Sequence, residues 1–232
     1  MSGPDRGHGQ VTNPKSKIQN PKSATASRRV ILVRHAETEW NRERRNQGRS
    51  DIALNELGRR QAQQVALRLR DEPIALVCSS PLQRAMYTAR AIAEPHGLRV
   101  RIEPGLRELD QGDLEGLTFE ELRRRHGDLI RAWTADPTDV LMPGGETMRQ
   151  VQERAWEVVA RALAHDSTGA VVLVSHALTI TSILCRALDM ALARGRRMRH
   201  AVTGVTILHT DGRTWTLATL NDTCHLAGEP PG

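Results

Sequence analysis

Two histidines in this chain each follow a short apolar run that is rich in β-branched residues. Residues 30–34 precede His35, and residues 171–175 precede His176. Such runs are typical of buried parallel strands, and ligands of α/β proteins bind beyond the carboxyl ends of those strands. If the two strands are neighbours in the sheet, both imidazoles reach one crevice. The spacing therefore predicts an active site between them.

Two arginines at predicted strand ends would make this crevice attractive to anions. Arg34 directly precedes His35, and Arg84 lies in the first turn of a helix predicted after a second strand at residues 74–78. A phosphate monoester is a dianion, and guanidinium groups offer its oxygens planar, bidentate donors that stay protonated. A histidine beside them can serve as a nucleophile. This set of side chains suits covalent phosphoryl transfer.

A carboxylic acid completes the set, because a leaving alkoxide needs a proton. Glu108 follows a third predicted strand at residues 100–102, and three further carboxylates leave the choice of acid open: Asp110, Asp113 and Glu115. No pair of Asp or Glu residues stands at metal-ligand spacing beside these residues, and no glycine-rich phosphate loop is present. We therefore expect a reaction that uses no metal and no cofactor.

Strand-like and helix-like segments alternate from residue 30 onward, which predicts an α/β fold. We expect a three-layer α/β/α sandwich with a mostly parallel central sheet, to which a hairpin around Asp211-Gly212 adds antiparallel character. A proline at the first helical position predicts a helix that starts at Pro81. The arginine-rich residues 118–135 look helical and are expected to form a lid. The strands are predicted at residues 30–34, 74–78, 100–102, 171–175, 204–209 and 215–221.

The basic charge of the protein is concentrated at its N-terminus. Residues 1–29 hold six of the 33 basic residues and one of the 27 acidic ones, so the remainder is nearly neutral. This tail is polar, contains prolines and repeats Asn-Pro-Lys-Ser, which predicts disorder. Its foreign composition suggests an upstream extension caused by a misplaced start. We expect one folded domain over residues 30–226 and a flexible C-terminus at 227–232.

Composition argues against several classes of protein. Aromatic residues make up only 3% of the chain, which disfavours a base-stacking nucleic-acid platform. No apolar run approaches the ~20 residues that span a bilayer, and residues 1–30 lack the apolar core of a secretory signal. Three cysteines without CxxC spacing suit a reducing cytoplasm. We expect a cytoplasmic protein that could form a homodimer and whose partner is a small phosphorylated metabolite rather than a membrane or nucleic acid.

A series of short motifs runs in one order through the body of the chain. It begins with RHAETEWN at residues 34–41 and continues with QGRSD at 47–51, LGRRQA at 57–62, SSPLQRA at 79–85, PGGE at 143–146 and SH at 175–176. The residue types and the order of these motifs resemble those of the histidine phosphatase superfamily, which includes the cofactor-dependent phosphoglycerate mutases. The resemblance extends from residue 30 to about residue 226.

The resemblance implies a phosphoglycerate mutase-like fold and a role for each matching residue. His35 would be the nucleophile that becomes phosphorylated, and Glu108 would be the proton donor. The residues expected to bind the phosphoryl group or the rest of the substrate are Arg34, Arg84, His176, Asn41, Gln47 and Gly48. The chain departs from the family pattern at two places. Ala36 replaces a usual glycine, and residues 177–179 follow His176 where the family often has glycines.

On this basis we expect a phosphomonoester hydrolase that acts on small phosphorylated metabolites through a phosphohistidine. A cofactor-dependent phosphoglycerate mutase would use the same intermediate. Mutases of the family usually carry a longer insertion after the position of Glu108, whereas only about thirty-five residues separate it from Pro143 here. A third interpretation is an inactive binding module whose basic tail contacts nucleic acid. The intact set of predicted site residues speaks against that interpretation.

Overall fold

The fold is described by a computed structural model that covers Met1, residues 27–165 and residues 168–227. The predictions for the basic tail and for the C-terminus fall almost entirely outside these residues. The first strand begins at Arg28, two residues before the predicted start of the domain. None of the helices in the described ranges is both long and apolar enough to cross a membrane.

The described residues form one sheet of six strands. Their bounds are β1 Arg28–Arg34, β2 Ile74–Ser79, β3 Val100–Ile102, β4 Ala170–Ser175, β5 Val205–Thr210 and β6 Trp215–Asp222. The order across the sheet is β3-β2-β4-β1-β5-β6. The pairs β3–β2, β2–β4 and β4–β1 are parallel, whereas β5 runs antiparallel to both of its neighbours. The mostly parallel sheet and its antiparallel C-terminal hairpin confirm the predicted fold class.

Seven α-helices connect or flank these strands in the described part of the chain. They are α1 Glu39–Arg42, α2 Glu56–Leu69, α3 Gln83–Ala93, α4 Phe119–Arg125, α5 Gly127–Ala135, α6 Met148–Leu163 and α7 Ala177–Ala187. Asn55 caps α2 by accepting a hydrogen bond from the Gly58 amide, as its side chain predicts. The helix predicted to start at Pro81 instead starts at Gln83, because Leu82 still has an extended backbone.

Helices cover both faces of the sheet. On one face, α2 and α3 pack against a core cluster that includes Ile31 and Val33 of β1. On the other face, α6 and α7 pack against a cluster that includes Leu32 and Leu173. Successive side chains of a strand point to opposite faces, so a strand buried on both sides needs a continuous apolar run. This requirement explains the composition of β1 and β4.

The segment predicted to form one helical lid is divided into two helices that meet at His126. That residue has φ −130° and ψ 36°, which interrupts the helix between α4 and α5. The apolar side chains of both helices join a third core cluster. Leu122 is buried there, and Trp133 is half-buried in the same cluster as Leu178 of α7. The two helices are thereby held beside the carboxyl end of β4.

Candidate active site

The two strands that lead into histidines are neighbours. β1 and β4 pair in parallel, with Arg34 opposite Ser175, and the His35 amide donates to the Ser175 carbonyl at 2.9 Å. Both histidines therefore leave the sheet at the same edge. Their ring centroids lie 5.0 Å apart, with an angle of 58° between the ring planes. The structure thus brings together the two imidazoles that the sequence places at strand ends.

The hydrogen bond made by His35 determines which ring nitrogen carries the proton. Its Nδ1 lies 2.7 Å from the carbonyl oxygen of Ala36. A carbonyl can only accept, so Nδ1 donates and the neutral ring keeps its lone pair on Nε2. Burial lowers the pKa of His35 well below its usual value, and the positive charges of Arg84 and Arg34 lower it further. His35 is therefore a neutral, oriented imidazole at pH 7, and its Nε2 lone pair could act as a nucleophile.

His176 is also buried and neutral. Its Nε2 lies 2.9 Å from the hydroxyl oxygen of Ser80, whereas its Nδ1 is buried without a partner among the described residues. Burial is the largest cause of its lowered pKa, followed by the charge of Arg84. When the Ser80 hydroxyl donates to Nε2, Nδ1 carries the proton and can donate to a bound anion.

The two arginines are fixed by backbone carbonyls rather than by carboxylates. Arg84 is fully buried and donates to the carbonyls of Gly48 at 2.8 Å and Ser50 at 2.7 Å. Burial lowers the pKa of Arg84 to about 10, which leaves it charged at neutral pH. Arg34 donates to the carbonyl of His200 at 2.7 Å. Because no carboxylate in the described part of the chain forms an ion pair with either guanidinium, both charges remain available to an anion.

Glu108 is distinguished from its neighbouring carboxylates by its position. Its side chain is 6% exposed, and its Oε1 accepts from the amides of Leu109 at 2.9 Å and Thr179 at 3.2 Å. Its Oε2 accepts from the amide of Leu178 at 3.1 Å. Of the four acids that the sequence left open, Glu108 alone lines the pocket with the histidines. Those hydrogen bonds hold its carboxyl group at the pocket wall.

The pocket that these residues form has a volume of about 170 Å³. Seven of the eight predicted site residues line it: Arg34, His35, Asn41, Gln47, Arg84, Glu108 and His176. Four lining residues were missed by the sequence analysis: Arg45, Asn46, Gln111 and Leu178. Arg45 and Asn46 directly precede the motif that begins at Gln47, which is the one local signal that could have identified them.

Gln47 and Gly48 contribute in different ways. Both amide atoms of the Gln47 side chain are buried without a partner among the described residues, so they are available to a ligand. Gly48 does not line the pocket, and its carbonyl instead holds Arg84. A Cβ atom at this position would lie 2.1 Å from the Glu115 carboxylate and 2.8 Å from the Gln111 amide. Glycine is required there because two segments of backbone approach closely.

The structure accommodates both departures from the family pattern. Ala36 has a negative φ, and its methyl group packs in the core beside α2 and α3. Its amide donates to the hydroxyl of Thr88, and its carbonyl orients His35. At the second departure, the amides of Leu178 and Thr179 bind Glu108. The non-glycine residues at both places therefore support the site geometry.

The electrostatic balance of the pocket favours an anion. Three arginines line it, at positions 34, 45 and 84, against one carboxylate, Glu108. Among the described residues, no three His, Cys, Asp or Glu side chains are grouped so that they could hold a metal ion. Two neutral imidazoles and a buried amide supply additional hydrogen-bonding groups. This arrangement can bind a phosphoryl group and present a nitrogen lone pair to it.

Comparison with known proteins agrees with this chemistry. Residues 30–223 match the Histidine phosphatase superfamily (branch 1). Phosphoserine phosphatase 1 of Hydrogenobacter thermophilus is 33% identical over 198 residues, which are 85% of this chain and 94% of that protein. Phosphoglycerate mutase-like protein 4 of Arabidopsis thaliana is 36% identical over 200 residues, 85% of this chain and 86% of that protein.

A solved structure extends the similarity to three dimensions. A mycobacterial glucosyl-3-phosphoglycerate phosphatase superimposes with a TM-score of 0.79 at 31% identity, covering 85% of this chain and 100% of that chain. A complex of that same phosphatase with inorganic phosphate superimposes with a TM-score of 0.74. Both superpositions extend over 85% of this chain, so the similarity is not confined to one motif.

Proposed function

Because the chain belongs to the histidine phosphatase superfamily, we propose that it hydrolyses small phosphate monoesters through a phosphohistidine at His35. The observation that carries this proposal is the neutral His35 imidazole, whose Nδ1 is bound to the Ala36 carbonyl and whose Nε2 is left as a lone pair. The imidazole lies in one pocket with Arg34, Arg84 and His176. A nucleophile and the donors that neutralise its target are thus held together.

In the first step, His35 Nε2 attacks the phosphorus of the bound ester. The new N–P bond forms while the P–O bond to the leaving group breaks, and that electron pair goes to the ester oxygen. Glu108 in its protonated form gives this oxygen its proton, which releases an alcohol. Arg34 and Arg84 neutralise the charge on the equatorial phosphoryl oxygens. The Nδ1–Ala36 hydrogen bond stabilises the positive ring that results.

In the second step, water attacks the phosphorus of the phosphohistidine. The Glu108 carboxylate accepts a proton from that water, the N–P bond breaks, and the electron pair returns to His35 Nε2. Inorganic phosphate leaves and the pocket regains its first state. Glu108 can act first as an acid and then as a base, because the proton that it gives to the leaving oxygen in the first step is replaced by the proton that it accepts from water in the second.

A trapping experiment tests the proposal. The protein is mixed with a ³²P-labelled monoester, quenched in alkali and digested, and the label is mapped. We expect an alkali-stable, acid-labile phosphate on His35. His35→Ala should lower turnover by several orders of magnitude, the scale that follows removal of a nucleophile. His225→Ala is the matched control, because this histidine bonds to Thr203 outside the pocket. Label on another residue, or near-normal turnover by His35→Ala, would overturn the proposal.

The competing mutase activity is measured in the same preparation. A mutase would return the phosphoryl group to a second hydroxyl, so that 3-phosphoglycerate is isomerised and little phosphate is released. We expect phosphate release to predominate, because only about thirty-five residues follow Glu108 before Pro143. Isomerisation faster than hydrolysis would assign the phosphohistidine to the mutase reaction instead.

A further inference from the structure

The pocket around His35 accommodates the phosphoryl group but little else, and a second cavity adjoins it. We infer that this second cavity binds the leaving group of the substrate, and that it selects an apolar ring that carries its own anionic group. The inference rests on the proposed hydrolysis at His35 and adds the chemical class of the ester. Neither Glu108 nor His35 distinguishes one alcohol from another.

Volume and position assign the second cavity to the leaving group. The pocket around His35 has about 170 Å³, whereas its neighbour has about 520 Å³. Sites for small organic molecules usually have roughly 300–1,000 Å³, so the neighbour is of the size that an organic leaving group needs. Leu178 lines both spaces. An ester whose phosphorus lies beside His35 can therefore extend past Leu178 into the larger cavity.

The walls of the larger cavity are mostly apolar. Trp133 of α5, Leu192 and Met198 line it together with Leu178. Leu192 is buried, and the indole of Trp133 is half-buried, so one part of the indole is available to a ligand. Flat apolar groups pack well against an aromatic face, and offset stacking adds to the area that they bury. This wall favours an aromatic or alicyclic ring.

The open side of the cavity is positively charged. Arg199 is exposed, lines the cavity and makes no hydrogen bond or ion pair with any other described residue. Arg196 also lines it and uses one nitrogen to donate to the Thr134 carbonyl at 2.7 Å. No Asp or Glu is among the described residues that line this cavity. The two guanidinium groups would bind a carboxylate or a second phosphate on the ring.

A buried polar atom gives a second sign that a ligand belongs here. The His200 side chain is 8% exposed and lines the cavity, yet its Nε2 has no hydrogen-bond partner in the described part of the chain. Unpaired buried polar atoms are costly, and a ligand can supply the missing partner. The carbonyl of the same residue holds Arg34. His200 therefore joins the wall of the larger cavity to the phosphoryl pocket.

The test compares two esters that differ by one charge. The probes are phenyl phosphate and 4-carboxyphenyl phosphate, and the readout is the ratio of their kcat/KM values. Comparing this ratio between variants removes the difference in chemical reactivity between the two esters, because that difference is the same in every variant. We expect the wild-type protein to favour the carboxylate, and Arg199→Gln to lower the ratio about five- to tenfold, the effect of one charge-assisted hydrogen bond that is partly exposed.

Arg194→Gln is the matched control. Arg194 lies on the short helix Leu192–Arg197, five residues before Arg199, and is exposed, but it does not line the cavity. Replacing Arg194 removes the same positive charge as replacing Arg199, so any long-range attraction between the protein and the anionic ester is weakened equally in the two variants. We expect the ratio to be retained in Arg194→Gln. An equal ratio for the wild type and both variants would overturn the inference.

A second variant tests the ring. Trp133→Leu keeps an apolar side chain in the core but removes the aromatic face, and its folding is checked by thermal unfolding. We expect kcat/KM for phenyl phosphate to fall about fivefold relative to ethyl phosphate, the scale of one lost aromatic contact. Equal losses on both esters would refute the ring assignment. Absence of all hydrolysis in the wild type would refute the proposed function instead, so the two failures are distinguishable.

Discussion

At the scale of single residues, one backbone carbonyl determines which ring nitrogen of His35 carries the proton. A metal-free phosphoryl transfer needs a neutral imidazole whose lone pair points at phosphorus, and the Ala36 carbonyl fixes that state by accepting from Nδ1. His35 and Arg34 could be predicted from the sequence because each stands at the end of a strand with a clear local pattern. Glu108 could not be separated from its neighbours by the local sequence, since two of the three amides that hold it come from the distant Leu178 and Thr179.

Glu108→Gln should make the rate depend more steeply on the leaving group. The amide cannot give a proton, so kcat/KM for an alkyl phosphate should fall by about 10²–10⁴, the usual range for general acid catalysis. p-Nitrophenyl phosphate should lose far less, because nitrophenolate leaves without a proton. The measurement is kcat/KM across a series of esters of rising leaving-group pKa. Equal losses on every ester would place the acid elsewhere.

At the scale of elements, α6 fixes the loop that carries the acid. Arg154 donates to the carbonyls of Gly105 and Arg107, each at 2.7 Å, and to that of Glu108 at 2.9 Å. It also pairs with Glu146 at 3.0 Å. Only a guanidinium has enough donors in one plane to hold three carbonyls and a carboxylate. Arg154 is therefore a positioning residue for Glu108.

Arg154→Lys should weaken the fold, even though the charge is kept. A lysine can replace only some of the guanidinium donors. We therefore expect a loss of about 1–3 kcal/mol of unfolding free energy, the value of one hydrogen bond from a charged donor. Urea denaturation gives the measurement. Arg161→Lys, on the same helix, changes the pair between a half-exposed guanidinium and Glu103, which Arg101 also pairs with, and should cost less than ~1 kcal/mol. Similar losses in both variants would contradict the role given to Arg154.

The start of α3 shows why some helix boundaries cannot be predicted from the neighbouring residues alone. Ser80 and Pro81 predict a capped helix, yet the Ser80 hydroxyl bonds to His176 at 2.9 Å. The amide of Gln83 instead donates to the Asp51 carboxylate at 2.7 Å, so the helix is capped from a distant loop. No spacing within the helix sequence could indicate that contact. The six strands were predicted well. β1 and β4 have apolar runs because both of their faces are buried, whereas the edge strand β6 alternates between half-buried and exposed residues.

At the scale of the whole molecule, stability should depend on pH through buried neutral histidines. Burial, followed by the charge of Arg34, lowers the pKa of His200 to about 4, and the pKa values of His35 and His176 are lowered as well. Between about pH 6.5 and pH 4 the unfolded chain therefore binds more protons than the folded one. The stability that this difference provides is complete above the unfolded pKa and is lost as the pH falls.

His200→Gln should flatten this dependence. Removing one such histidine lowers the slope of unfolding free energy against pH by up to about 1.4 kcal/mol per pH unit. Urea midpoints from pH 7 to pH 4.5 give the slope, and the glutamine leaves the backbone carbonyl of residue 200 in place for Arg34. His126→Gln, at the junction of α4 and α5, is the control. Parallel profiles for His200→Gln and the wild type would show that His200 does not contribute.

Treatment with a chelator tests whether the reaction needs a divalent ion in addition to the arginines of the pocket. In the proposed reaction, the arginines at positions 34 and 84 supply the positive charge that a divalent ion provides in other phosphatases, and His35 is the nucleophile. We therefore expect phosphate release to continue unchanged after dialysis against EDTA. Loss of activity that returns on addition of one divalent ion would show that the arginines are not sufficient.

The position of β1 and β4 at the centre of the sheet has a consequence for how activity is lost. Fraying begins at edge strands such as β3 and β6, whereas the central pair opens only when the whole sheet does. Both histidines follow that central pair, joined by the bond from the His35 amide to the Ser175 carbonyl. Heating or denaturant should accordingly leave turnover intact through early local opening, then abolish it in one cooperative step together with the last protected amides.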